Sequence, residues 1–332
     1  MQTAPAMPRT VINPRPWPAL PLRPLKAWIR PLGGTAVLAV LLWRVGTGPF
    51  LAGLRLIDGR ALIAALGIGL FTTVCSAWRW TLVAGGLGIR LPLRTAVADC
   101  YRSVFLNATL PGGVLGDVHR AVRHGRDVGD VGRGIRAVVW ERIAGQAVLL
   151  GTAGIVLVAF PSPVRSYLPI VAMVAVAAML GLVLLSHARP RCGVRWARAV
   201  QATRTDLRAG LLGGRIWLPI VLASVGAVTG HLATFVIAAR TAGSDAPLSQ
   251  VVPLTVLALL AMGVPANVGG FGPREGVAAW AFGAAGLSAS QGVATAVVYG
   301  ALVLVASLPG SAVLVARRLR APAAPPGGAV VG

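Results

Sequence analysis

The chain has 332 residues, 56% of them hydrophobic and only 12% charged, with a mean hydropathy of +0.76. Soluble domains run at about 45–50% apolar and about 25% charged, so this composition excludes a soluble globular domain and implies an integral membrane protein. A transmembrane β-barrel would show alternating segments of about ten residues; none occur, which leaves helices.

The net charge of +22 comes from 31 Lys and Arg against 9 Asp and Glu. Such a balance can mark a nucleic-acid-binding chain. Here the arginines gather between apolar runs, where the positive-inside rule places cytoplasmic charge and where anionic lipid headgroups are met. Nucleic acid is therefore not an expected partner. Cys75, Cys100 and Cys192, and the four histidines, show no metal-ligand spacing. No metal, cofactor or disulfide framework is expected.

In chain order, residues 1–31 are rich in proline and arginine and lack the sustained apolar core of a signal peptide. They read as a disordered basic cytoplasmic tail. A first span runs from about residue 32 into the forties, interrupted by Arg44. A second, about 62–83, ends in Trp78-Arg79-Trp80, which reads as an interfacial anchor. The next apolar run leads through Asn107 to Pro111-Gly112-Gly113, which cannot continue a helix. A new helical pattern starts near Asp117, an acid suited to a helix N-terminus. Two readings stand: backbone turning inside the membrane, tolerated where protein or a polar cavity surrounds it, and an ordinary cytoplasmic turn. Arg94 before the break and Arg123, Arg126, Arg133 and Arg136 after it favour entry and exit by the cytoplasmic face, that is, a re-entrant hairpin.

A third span, about 138–160, opens with Glu141-Arg142, neighbours that do not face each other along a helix. A fourth, about 168–185, is followed by seven arginines between 189 and 215, a second cytoplasmic segment. A fifth, about 218–239, leaves Arg240 and Asp245 outside. The apolar run at 251–264 is short for a crossing of about 20 residues. It enters a second break holding Asn267, Gly269, Gly270, Gly272, Arg274 and Glu275. A further short apolar stretch covers about 277–287. The final span, about 293–316, ends at Arg317, Arg318 and Arg320. Residues 319–332 read as a disordered cytoplasmic tail, leaving 32–318 as one transmembrane domain. Because the fifth span ends outside and the last must begin there, the region between forms a second re-entrant hairpin from the outer face. The fold class is thus all-α: a polytopic helix bundle with two opposed broken-helix hairpins, an arrangement of inverted-repeat transporters.

The motifs resemble the lysylphosphatidylglycerol synthase transmembrane region, a flippase-like family. They are Arg79-Trp80; Phe105-Leu106-Asn107 leading to Leu110-Pro111-Gly112-Gly113; Gly116-Asp117 with Arg120; Glu141-Arg142; and Gly269-Gly270-Phe271-Gly272 with Arg274-Glu275-Gly276. The resemblance spans about 32–318. It implies a multi-pass α-helical lipid-handling module, whose counterpart in the two-domain members flips the aminoacylated lipid; the plasma membrane is the expected location, and the arginine clusters place both termini on the cytoplasmic side. Nothing after Arg320 is long enough for the soluble synthase domain of the two-domain members, so synthase activity is not expected.

A charged headgroup needs polar partners at membrane depth, where charges are rare and costly. The candidate substrate-binding residues are Asn107, Pro111, Gly112, Gly113, Asp117, Arg120, Glu141 and Arg142 at the first break, with Asn267, Gly269, Gly270, Gly272, Arg274 and Glu275 at the second. The expected partner is a membrane lipid with an anionic or polyprenyl-linked headgroup. Set beside this are plainer roles: Asp117 as a helix cap, Arg274 and Glu275 as a satisfied pair, His231 as a packing histidine. An enzyme or accessory subunit acting on lipid-linked substrates is the alternative, with Asp117, Glu141 or Glu275 as its acid or base. No catalytic motif marks one. Asp117 and Arg120 are expected to share one polar cavity with Arg274 and Glu275.

Overall fold

The computed structural model describes residues 55–110, 113–167, 173, 201, 203, 205–207, 209–211, 213, 216–264 and 271–320. The expected first span, nearly all of the fourth, the N-terminal tail and residues 321–332 of the C-terminal tail lie outside these residues, as do Pro111, Gly112, Asn267, Gly269 and Gly270; residues 319 and 320, expected in that tail, are helical.

Nine α-helices are described: α1 (Gly59–Gly86), α2 (Leu93–Thr109), α3 (Leu115–Asp127), α4 (Val131–Ala159), α5 (Trp217–Thr241), α6 (Leu248–Ala261), α7 (Pro273–Ala284), α8 (Ala289–Ser307) and α9 (Pro309–Arg320). Four stretches are long and apolar enough to cross a bilayer: α1, α4, α5, and α8 continued into α9 (Ala289–Val315), of 28, 29, 25 and 27 residues. Helices α2, α3, α6 and α7 have 17, 13, 14 and 12 residues, below the roughly 20 that a crossing needs. They flank the two breaks.

Side chains mark several helix starts. Asp58 accepts from Ala61 N at 2.8 Å to open α1, Asp130 from Arg133 N at 2.9 Å to open α4, and Ser288 from Gln291 N at 3.1 Å to open α8. The return helix of the second break starts at Pro273, four residues before the expected stretch, because Glu275 caps the Gly272 N–H at 2.7 Å.

Helices α1 and α5 run antiparallel in close contact. Ser224 meets Arg79, Gly226 meets Cys75 and Gly230 meets Thr72, so one number rises as the other falls. One apolar core gathers Phe235, Leu254, Phe282, Tyr299 and Leu302 from α5 to α8. A second holds Ala77, Trp80, Ala96, Cys100, Ala121 and Val138, tying α1 through α4 together. On the outside, Ile63, Leu70, Leu150 and Ile155 are exposed on the long helices, a surface suited to lipid tails. The chain is a multi-pass α-helical membrane protein.

Candidate functional site

Three long helices carry polar groups to one level. Arg79 lies seven residues before the end of α1 (86 − 79), Glu141 ten after the start of α4 (141 − 131) and Ser224 seven after the start of α5 (224 − 217). At 1.5 Å per residue, each is about 10–15 Å in from its helix end, and the three meet. Glu141 Oε1 accepts from Arg79 Nε at 2.9 Å and also from Arg79 Nη2. Arg79 Nη1 donates to Ser224 Oγ at 3.2 Å. Glu141 Oε2 accepts from Arg120 Nη2 at 2.6 Å.

Arg120 arrives from α3 with its guanidinium 4.7 Å from the Trp80 ring centroid, a cation–π contact. Its Nε donates to Asp117 Oδ1 at 3.0 Å. Asp117 also accepts from Arg142 Nη2 at 2.6 Å, Ser103 Oγ at 2.9 Å and Asn107 Nδ2 at 3.1 Å. Asn107 Oδ1 in turn accepts from Gly116 N at 2.8 Å. Helix α3 lies close enough on α2 that a Cβ on Gly116 would fall 2.2 Å from the Ser103 carbonyl oxygen, so only glycine fits there. Gly113, just past the first break, has φ +60°.

Three arginines and two carboxylates therefore form one network with a net charge of +1. The Asp117 carboxylate lies between the guanidiniums of Arg142 and Arg120, at 2.6 and 3.0 Å. The side chains of Arg79, Arg120 and Glu141 are 7%, 3% and 1% exposed, whereas that of Arg142 is 49% exposed. Arg142 is the network's open face. Behind it, His124 sits edge-on to Trp80 at 5.4 Å, and Asp99 pairs with Arg123 at 3.1 Å and Arg102 at 3.3 Å.

Two expectations are corrected here. The Trp78-Arg79-Trp80 trio is not an interfacial anchor: Trp80 is fully buried, Arg79 is a member of the network, and only Trp78 is exposed. The reason is Glu141, an acid 62 residues away that neutralises Arg79 inside the bundle. Asp117 is not a helix cap either. Val114 holds the N-cap position of α3 without a side-chain bond, and Asp117 binds side chains instead.

The second break gives a separate cluster. Gly272 has φ +140°, a conformation suited to glycine. Arg274 and Glu275, 4% and 0% exposed, pair through Nε and Oε1 at 2.9 Å and again through Nη2, the satisfied pair of the plainer reading. The guanidinium lies 5.0 Å from the Tyr299 ring and 5.8 Å from that of Phe271. His231 is a partnered packing histidine, its Nδ1 lying 3.1 Å from the Tyr299 hydroxyl. Arg274 and Glu275 thus bind each other rather than Asp117 and Arg120. Helix α5 touches both clusters, through Ser224 and His231, two turns or about 10 Å apart. Among the described residues no group of His, Cys, Asp and Glu has the arrangement of a metal site.

The model of one family, the lysylphosphatidylglycerol synthase TM region, matches residues 28–310. No curated protein and no solved structure matches the chain. The family match takes in all of the residues that build both clusters, and the chain belongs to the lysylphosphatidylglycerol synthase TM region family.

Proposed function

We propose that this protein moves an anionic lipid, a phospholipid or a lipid-linked intermediate, between the leaflets of the plasma membrane. The observation that carries the reading is Arg142: an arginine eleven residues into a membrane-spanning helix (142 − 131), half exposed, in a network of net charge +1. Asp117 meets one edge of that guanidinium, but the surplus positive charge of the network is costly at that depth unless a further anion or water meets the exposed edge, and a guanidinium can hold phosphate oxygens through two parallel hydrogen bonds. Family membership supports lipid as the source of that anion.

In this reading α2–α3 and α6–α7 are re-entrant hairpins, the first from the cytoplasmic face and the second from the outer face. Their shortness supports it, as does the clustering of Arg90, Arg94, Arg123, Arg126, Arg133 and Arg136 at the end of the bundle where α1 finishes and α4 begins. Both termini are then cytoplasmic.

The test is reconstitution of the full chain into phosphatidylcholine liposomes with a fluorescent anionic phospholipid, scoring exchange by chemical quenching of the outer leaflet. Wild type should accelerate exchange and Arg142→Ala should lose most of that acceleration. Equal rates for wild type, Arg142→Ala and protein-free liposomes would overturn the proposal. A protein that only assists a lipid-modifying partner would bind the lipid without exchanging it.

A further inference from the structure

Helix α4 is open to its surroundings along one face. Val139, Arg142, Ile143, Gln146 and Leu150 follow one another at three- and four-residue spacings, and all five are exposed. Three are apolar, as lipid tails require, and Arg142 belongs to the charged network. Gln146 is the odd member. It lies fifteen residues into a helix of 29 (146 − 131), at its midpoint. Among the described residues its amide has no hydrogen-bond partner. An amide left unpaired in hydrocarbon is costly, so a group that visits this face must pair with it.

The neighbours of Gln146 narrow what that group is. Arg142 stands one turn away on the same face, about 6 Å along the axis. Gln146 Nε2 lies against Gly263, two residues past the end of α6 and at the entry to the second break; a Cβ there would fall 2.7 Å from that nitrogen. Gly263 has no positive φ, so its backbone does not call for glycine. What a side chain at 263 would take is the space of the amide.

A glutamine exposed on a membrane helix can also pair across two copies of a chain. A symmetric contact sets the same patch of both copies together. Through this face it would bring two networks of net charge +1 towards each other at low dielectric, which disfavours it. The same surplus charge draws an anionic headgroup to Arg142, and the next polar group along this face of α4 is Gln146. An amide suits such a step, because it donates to a phosphate oxygen without carrying charge. It can therefore receive a headgroup and release it, whereas a second guanidinium would hold it. Ile143 and Leu150 beside it leave the tails in hydrocarbon.

We propose that Gln146 carries the phosphate of a transported lipid across the middle of the membrane, as the contact that follows Arg142. This deepens the lipid-transport reading and rests on it.

The experiment compares exchange with binding in the full chain. Exchange is read in phosphatidylcholine liposomes with a fluorescent phosphatidic acid, whose headgroup is the bare phosphate. Binding is read in phosphatidylcholine nanodiscs with dihexanoyl phosphatidic acid. Gln146→Leu keeps the bulk and removes the amide; Gly263→Ala keeps the amide and displaces it. Each should slow exchange about tenfold, the order of one hydrogen bond to a charged group, while affinity stays within about twofold and Tm within about 2 °C of wild type. Gln146→Asn, which retains an amide, should fall between. A wild-type exchange rate in a folded Gln146→Leu overturns the proposal, as does affinity that falls in step with exchange, since the amide would then belong to the site at Arg142. A wild type that is dimeric in detergent and becomes monomeric on Gln146→Leu also overturns it, in favour of self-association. Wild-type exchange no faster than in protein-free liposomes overturns the transport reading and this proposal with it.

Discussion

Glu141→Gln removes the one carboxylate that holds Arg79 and Arg120 together. At about 4 Å and an effective dielectric near 20, each charge–charge attraction is worth about 4 kcal/mol before desolvation. The substitution deletes both attractions and leaves two guanidiniums buried, with side-chain exposures of 7% and 3%. Removing one partner of a buried pair costs about 3–5 kcal/mol. Glutamine retains a carbonyl acceptor for one arginine, which argues for the lower end, about 3 kcal/mol. With a response of about 2–4 °C per kcal/mol for chains of this order of size, Tm should fall by about 6–12 °C. In a variant lacking Cys75 and Cys192, a thiol-reactive dye in detergent micelles reads this, because Cys100 is a free thiol buried in the bundle. Adding Arg79→Met to Glu141→Gln should recover part of the loss, since the second change removes a stranded charge. A Tm within about 2 °C of wild type for Glu141→Gln would refute the reasoning, as would a double variant less stable than the sum of its parts.

Arg142→Ala should behave differently from Glu141→Gln: being half exposed, it should lower Tm by only a few degrees while reducing anionic-lipid exchange at least about tenfold, with Arg142→Lys intermediate in the liposome assay. Gly116→Ala places a Cβ 2.2 Å from the Ser103 carbonyl oxygen and should cost about 1–3 kcal/mol by dye-monitored unfolding, whereas Gly59→Ala, which meets nothing within 4 Å, should not destabilise. Gly300→Ala puts a Cβ 2.5 Å from Arg274 Nη2; it should destabilise wild type but have little further effect in an Arg274→Ala background, a cycle measured by Tm. A single cysteine at position 126, in a variant lacking the native cysteines, should label from the cytoplasmic side only; strong external labelling would remove the hairpin reading of α2–α3.

Helices, family and most of the network's members are legible in the sequence, because apolar runs and glycine breaks are local signals. Asp117, Arg120, Glu141 and Arg142 stand out as charges beside a break or inside an apolar run. Their pairing does not: Glu141 binds residues 62 positions before it and 21 before it, and Arg79 binds Ser224, 145 positions on. From the sequence Arg79 reads as interfacial for that reason, since its own neighbours are two tryptophans. A signal was nonetheless present. Charges inside apolar spans must find opposite partners, and Arg79 near one span's end stands at the depth of Glu141 near the next one's start. The Arg274–Glu275 pair follows the plainer of the two roles open in the sequence. Adjacent residues on a helix diverge, yet these meet because Glu275 turns back onto Gly272 at the helix start.

The charge sum of the first network has an electrical consequence. A membrane potential does work of about 2.3 kcal/mol per elementary charge per 100 mV across the whole bilayer, and a group partway in feels a fraction of it. Empty, the network carries +1 and is drawn toward a negative interior. Holding a singly charged phosphodiester, as proposed, it sums to zero and feels no net pull. Voltage would then act on the unloaded form and leave the loaded one alone, so polarising the vesicles would change the speed of only half of an exchange cycle.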